Sequence, residues 1–194
     1  MQIWEQHTVG LEPDDGGVAS GWFTEFLSRF KPARYRLVRM PDDGTRPSKR
    51  GKAHLAYADA YPFLVVSQGS LDDLNRRIAE RRRGAGEPPT APIGWDRFRP
   101  NIVLDGCPPY FEDEADRLTF GADLILEGQA LCVRCPVPAT DQQTAKLGKE
   151  PLKTLATYRR NPDPEGSGVV FGRNFDHRGT GEIRVGDRVD GTRA

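Results

Sequence analysis

Two cysteines spaced Cys132-Val133-Arg134-Cys135, followed by Pro136, form the chemically richest stretch of this 194-residue chain. A Cys-x-x-Cys pair can bind zinc, cycle as a redox pair or simply pack. Tetrahedral zinc needs four ligands, and no second pair stands at a suitable spacing. Cys107, His54 and His177 are available, but their positions single none of them out. A thioredoxin-like pair opens a helix in a βαβ unit, which Pro136 and Pro138 fit poorly. Spacing alone therefore favours two small buried residues on a strand. Two features point the other way. Arg134 lies between the thiols, and a neighbouring cation favours a thiolate. The two prolines mark a strand leaving its ladder, where a thiolate can face a cavity.

A second cluster is Arg97-Phe98-Arg99-Pro100-Asn101. Alternation predicts one strand face for Arg97, Arg99 and Asn101. Arginine offers a fixed fork for phosphate or carboxylate, and asparagine a paired donor and acceptor. Arg97 by itself reads as part of a solvated strand edge. In Phe171-Gly172-Arg173-Asn174, the glycine allows either close backbone approach to a ligand or a ligand-free bulge. Asp59-Ala60-Tyr61-Pro62 reads as a turn before a strand, and Glu112-Asp113-Glu114 as a solvated loop. No serine elbow, P-loop, dinucleotide fingerprint or helical histidine pair occurs.

The elements that must position these residues are short. Ile3 to Val9 and Arg34 to Met40 read as strands. Asp15 is placed to cap a helix in which Val18, Trp22, Phe23, Phe26, Leu27 and Phe30 recur at helical spacing. Pro41 to His54 reads as a loop and a seam between regions. Phe63 to Ser67 is a continuous apolar strand. Ser70 opens a second helix with Asp73 at the capping-box position and Leu71, Leu74 and Ile78 inward. Beyond Arg99 the chain reads as mainly β. Candidate strands are Ile102–Leu104, Leu118–Phe120, Asp123–Leu126, Ala130–Val133, Gly168–Phe175 and Glu182–Val189, with a helix at Pro151–Arg160. Many short strands with turn signals predict an α+β fold built on a barrel or a strongly bent sheet.

Composition narrows the function class. The chain has 28 Lys and Arg against 28 Asp and Glu, so its formal net charge is zero. That balance argues against binding nucleic acid by bulk electrostatics, but leaves room for a local pocket for one small anion. No apolar run approaches the ~20 residues of a membrane span, so no membrane partner is expected. The start at Met1 has no basic or apolar leader, and three cysteines without an export signal predict reduced thiols in a cytoplasmic protein.

Eight stretches in this order resemble the MOSC family, named for the C-terminal domain of molybdenum cofactor sulfurase. They are Tyr57–Phe63, Ser70–Asn75, Arg97–Val103, Cys132–Cys135, Thr140–Gln142, Glu150–Leu152, Phe171–Asn174 and Ile183–Asp187. The resemblance is to the branch holding the mitochondrial amidoxime-reducing component and its bacterial relatives. It implies a MOSC-type β-barrel over residues 51–194, preceded at 1–50 by the remnant of an N-terminal barrel region. It implies binding of the molybdenum–pyranopterin cofactor, with Cys135 as metal ligand and catalytic residue. Asp59, Ala60, Tyr61, Arg99, Asn101, Val133, Arg134 and Asn174 are the implied cofactor-binding residues. The family as a whole also carries an association with pyridoxal phosphate. The implied activity is reduction of small N-hydroxylated or N-oxygenated compounds, with electrons from a separate flavin or iron–sulfur protein. A sulfur-carrier or cofactor-transfer module and a non-catalytic truncated remnant are the alternatives.

Overall fold

One carboxylate organises the start of the first helix. Asp15 accepts from the N–H groups of Gly17 at 2.8 Å and Ala19 at 2.9 Å. These bonds stabilise its ionised form and hold its pKa below the usual carboxylate value. Helix α1 follows at Val18–Leu27, shorter than its periodicity predicts, because the chain turns at Ser28 before Pro32. The computed structural model describes residues 2–3, 6–50, 53–121, 123–164 and 166–193. They form two compact units that meet in sequence at Ala60 and Tyr61.

In the first unit, strands β1 (Gln2–Ile3) and β2 (Gln6–His7) pair antiparallel. They fall within the strand expected from Ile3 to Val9, of which Trp4 and Glu5 lie outside the described residues. The strand expected over Arg34–Met40 does not form. Its backbone is satisfied by helix side chains instead: Tyr35 N–H donates to Thr24 Oγ1 at 2.9 Å, and Leu37 N–H to Ser20 Oγ at 3.1 Å. Arg46 is 2% exposed. It donates to Gln6 Oε1 at 2.6 Å and to the carbonyls of Ala56 at 3.0 Å, Ala58, and Asp59 at 2.6 Å. A buried guanidinium thus ties together a stretch that reads only as polar loop in sequence.

The second unit is a curled mixed sheet. Strand β3 (Phe63–Ser67) leads into helix α2 (Gln68–Gly84), and the chain returns through β4 (Ile102–Leu104), which pairs parallel to β3. The short helix α3 (Phe111–Glu114) precedes β5 (Ala115–Phe120) and β6 (Leu124–Val133). Helix α4 (Leu152–Leu155), β7 (Val170–Arg178) and β8 (Val189–Arg193) complete it. The order across the sheet is β4-β3-β7-β6-β5-β8, antiparallel except for the first pair. The two strands expected between Asp123 and Val133 are one, β6. The strand expected over Glu182–Val189 is absent: its alternation is a solvated turn, with Val185 fully exposed, and pairing begins only at Val189.

Helix α2 starts at Gln68, two residues before its expected Ser70. Ser67 is the cap, its hydroxyl accepting from Ser70 N–H at 3.1 Å. Leu71, Leu74 and Ile78 are buried, as their spacing predicts. Glu112 is a correction: it is fully buried rather than solvated, and accepts from the Ser70 hydroxyl at 2.7 Å. Asp113 is also largely enclosed, paired with Arg159 at 2.5 Å. Burial raises the Asp113 pKa against the opposing pull of Arg159.

Two apolar clusters lie on opposite faces of the sheet. Val65 joins Leu118, Leu126 and Phe175 on one face, while Val66 joins Leu74, Ile78, Phe98 and Phe171 against α2. Phe171 and Phe175 are four residues apart and in a regular strand would share a face. They do not, because β7 carries one extra residue: Leu131 pairs with Arg173 and Val133 with Val170. Gly172 sits in this bulge at φ 78°.

A Cβ at Gly172 would stand 2.5 Å from Val66 Cγ1 and 2.9 Å from the Val65 carbonyl. Left-handed strain and overpacking then act together. Gly172→Ala is expected to destabilise the second unit by about 2–4 kcal/mol. Urea unfolding followed by tryptophan fluorescence checks this, and an unchanged midpoint would refute the packing role.

Candidate functional site

Phe98 is the point at which three sequence clusters meet. It is buried at the end of a 3₁₀ turn, Trp95–Arg97, and its ring stacks on Phe171 with centroids 4.2 Å apart. Its carbonyl accepts from Arg134 Nη2 at 3.0 Å, and the same guanidinium lies 5.5 Å from the ring centroid. Arg134 Nη1 donates to Cys132 Sγ at 3.0 Å. Its Nε is buried without a hydrogen-bond partner among the described residues. Arg134 is therefore largely spent inside the protein, holding the cysteine segment against the Arg97–Asn101 turn.

The expected strand face of Arg97, Arg99 and Asn101 is not present. The 3₁₀ turn and a left-handed Arg99, at φ 55°, send the three side chains to different places. Arg97 turns inward, only 13% exposed at its side chain, where a solvated edge was expected. Its Nε donates to the Pro138 carbonyl at 2.7 Å and its Nη2 to the Glu150 carbonyl at 3.0 Å. Arg99 is exposed. A non-glycine residue at positive φ before a proline costs on the order of 1–3 kcal/mol, a strain that clusters at functional sites. Asn101 locks onto β3: its N–H donates to the Leu64 carbonyl at 2.9 Å and its Oδ1 accepts from Leu64 N–H at 2.8 Å. Leu64 pairs on its other side with Asn174. The two asparagines thus flank one residue of β3.

Val133 ends β6 paired with Val170, and Arg134 N–H donates to the Val169 carbonyl at 2.8 Å. Cys132 is half-buried and Cys135 exposed, both as free thiols. Asp59 and Ala60 close the first unit, where Arg46 holds the Asp59 carbonyl, and Tyr61 opens the second. Among the described residues no group of three or more His, Cys, Asp or Glu could hold a bare metal ion. His177 stands edge-on to Phe63, centroids 5.9 Å apart, away from both cysteines in the ladder. A cleft of about 1120 Å³ runs between β4 and the 183–189 turn. Of the candidate residues only Asn101 lines it. Sequence reading missed Phe98 and the inward role of Arg97. The only signal for either was an aromatic residue between two arginines.

The MOSC domain family matches residues 52–190. Mitochondrial amidoxime-reducing component 1 of Homo sapiens is 36% identical over 197 residues, covering 94% of this chain and 54% of that protein. The Mus musculus protein of the same name is 37% identical over 188 residues, with coverage of 91% and 51%. Mitochondrial amidoxime reducing component 2 of Homo sapiens is 33% identical over 188 residues, with coverage of 91% and 52%. The chain spans about half the length of the curated relatives it matches. Their names overturn the expectation of a cytoplasmic protein. That expectation leaned on reduced thiols, which do not separate one reducing compartment from another.

The three thiols differ in exposure and environment. Burial and the Glu112 charge push the Cys107 thiol up, so less of it is thiolate at a given pH. With iodoacetamide at about pH 8, Cys135 is expected to be alkylated first, then Cys132, then Cys107. Peptide mapping over time checks the order, and a Cys107 rate equal to that of Cys135 would contradict its burial.

Proposed function

From the premise that the chain belongs to the MOSC domain family, we propose that it binds the molybdenum–pyranopterin cofactor and serves reduction of small N-hydroxylated compounds. The observation that carries this reading is the division between the two cysteines. Cys132 is engaged by Arg134, whereas Cys135 is an exposed thiol two residues beyond the end of β6. A single thiolate suits a soft metal that arrives already chelated, and does not suit a bare ion that needs a full protein ligand set. The donor set therefore fits the cofactor, with Cys135 as its protein ligand.

The other residues bind and orient. Arg99 presents an outward guanidinium, which matches an anionic phosphate tail in fork geometry. Asn101 uses its Oδ1 on Leu64, which leaves its Nδ2 to donate. Asn174 stands on the other side of Leu64 and supplies a second amide. Val133 and Arg134 contribute chiefly by fixing the approach to Cys135. The cofactor, when bound, supplies the two-electron redox chemistry that amino-acid side chains lack. Electrons come in this proposal from a separate flavin or iron–sulfur protein.

The test is protein made in a host that assembles the cofactor. Cys135→Ser is expected to lose molybdenum and Cys132→Ser to keep most of it, measured as metal per chain. Equal loss in both variants would sink the assignment. Reduction of a small amidoxime, with an electron donor added, tests the activity; metal retention without turnover would favour a carrier.

Arg99→Gly separates strain from binding. Glycine adopts positive φ freely, so stability should hold or rise by up to about 1 kcal/mol. Molybdenum retention should fall by roughly tenfold or more as a charge-assisted contact is lost. Thermal unfolding and metal analysis on the same sample check both, and a loss of stability would contradict the strain.

A further inference from the structure

Cys135 has firm support on one side only from its own strand. On its N-terminal side, Val133 is paired with Val170 and Arg134 with the Val169 carbonyl. On its C-terminal side the chain leaves the sheet for fifteen residues before Pro151 returns it to α4. That excursion has local order of its own. Asp141 accepts from Gln143 and Thr144 N–H, Gly148 N–H donates to the Ala139 carbonyl at 2.7 Å, and Thr140 bridges Leu147. These contacts shape the loop but do not attach it to the body of the unit.

Arg97 makes such an attachment. Its Nε reaches Pro138 near the loop's start, its Nη2 reaches Glu150 at the loop's end, and its Nη1 lies 3.8 Å from Asp141. Two of the three guanidinium nitrogens are hydrogen-bonded to the loop, and the third is drawn toward the Asp141 carboxylate. The tie is reciprocal: Arg134, beside Cys135, reaches back to the Phe98 carbonyl next to Arg97. Two crossed arginine-to-carbonyl bonds thus join the turn carrying Arg99 to the segment carrying Cys135. Charge-assisted bonds to buried carbonyls are stronger than neutral ones and shorten the set of relative positions available.

We propose that Arg97 is the positioning residue of the Cys135 segment, fixing the thiol relative to Arg99 by tying both ends of the 136–150 loop. The proposal rests on the cofactor reading of Cys135 and Arg99. It predicts a division of labour between two arginines one residue apart, one held inside and one presented outside.

The test uses the full chain without cofactor, as wild type, Arg97→Gln and Arg97→Lys, followed by hydrogen exchange and timed iodoacetamide labelling. In Arg97→Gln, exchange across 136–150 should quicken by roughly tenfold, while β5 and β6 keep their protection. Labelling of Cys135 should change several-fold with Cys107 unaltered. Arg97→Lys should recover part of both effects, because it keeps the charge and donors but not the fixed fork. In cofactor-loaded protein, molybdenum per chain should fall in the same order. Unchanged exchange over 136–150 overturns the proposal, as does quicker exchange with unaltered Cys135 labelling. An equal rise in Cys107 labelling means general loosening and also overturns it. If Arg97→Gln does not fold, Arg97→Lys decides by the same readouts. A wild type that holds no molybdenum defeats the cofactor reading, whereas the cofactor-free measurements still judge Arg97.

Discussion

One additional residue in β7 sets the arrangement of the second unit. Without the bulge at Gly172, Phe171 and Phe175 would face the same side of the sheet. With it, Phe175 fills the cluster around Leu118 and Leu126, and Phe171 crosses to the face covered by α2. There Phe171 meets Phe98, Phe98 meets Arg134, and Arg134 meets Cys132. A backbone irregularity in one strand is thereby transmitted to the cysteine segment through aromatic stacking and a guanidinium.

Arginine carries much of the polar architecture. Arg46 in the first unit and Arg97 in the second each direct several donors at backbone carbonyls of loop segments, and Arg134 directs one at Phe98. A planar guanidinium spreads five donors over a fixed fork and so reaches separate carbonyls, whereas a lysine gathers its three on one nitrogen. This is how a chain rich in glycine, proline and short elements gives defined positions to its loops. Arg99 is the counterexample, exposed and held at positive φ by the turn around it.

The departures from sequence-based expectation share one cause. Glu112 reads as solvated because it is one of three consecutive acids, yet it is buried against the Ser70 hydroxyl of α2. Arg34–Met40 reads as a strand, yet α1 side chains take its backbone groups. The 181–187 alternation reads as a strand, yet the sheet starts after it, at Val189. In each case the local pattern was compatible with two outcomes, and a partner distant in sequence selected one.

Local chemistry determined a good part of this protein by itself. The apolar run Phe63–Ser67, the inward spacing of Leu71, Leu74 and Ile78, and the cap at Asp15 are properties of neighbouring residues, and they appear as expected. The collinear motifs likewise marked the MOSC family before any fold was considered. Tertiary structure alone decided which arginine faces inward, that Arg134 reaches back to Phe98, and that Asn101 and Asn174 flank the same residue of β3. Those facts depend on strand register, on a bulge and on hydrogen bonds spanning 36 to 53 residues of chain. Periodicity is read over one or two turns of chain, whereas a guanidinium finds its carbonyls only after the sheet has brought them within reach.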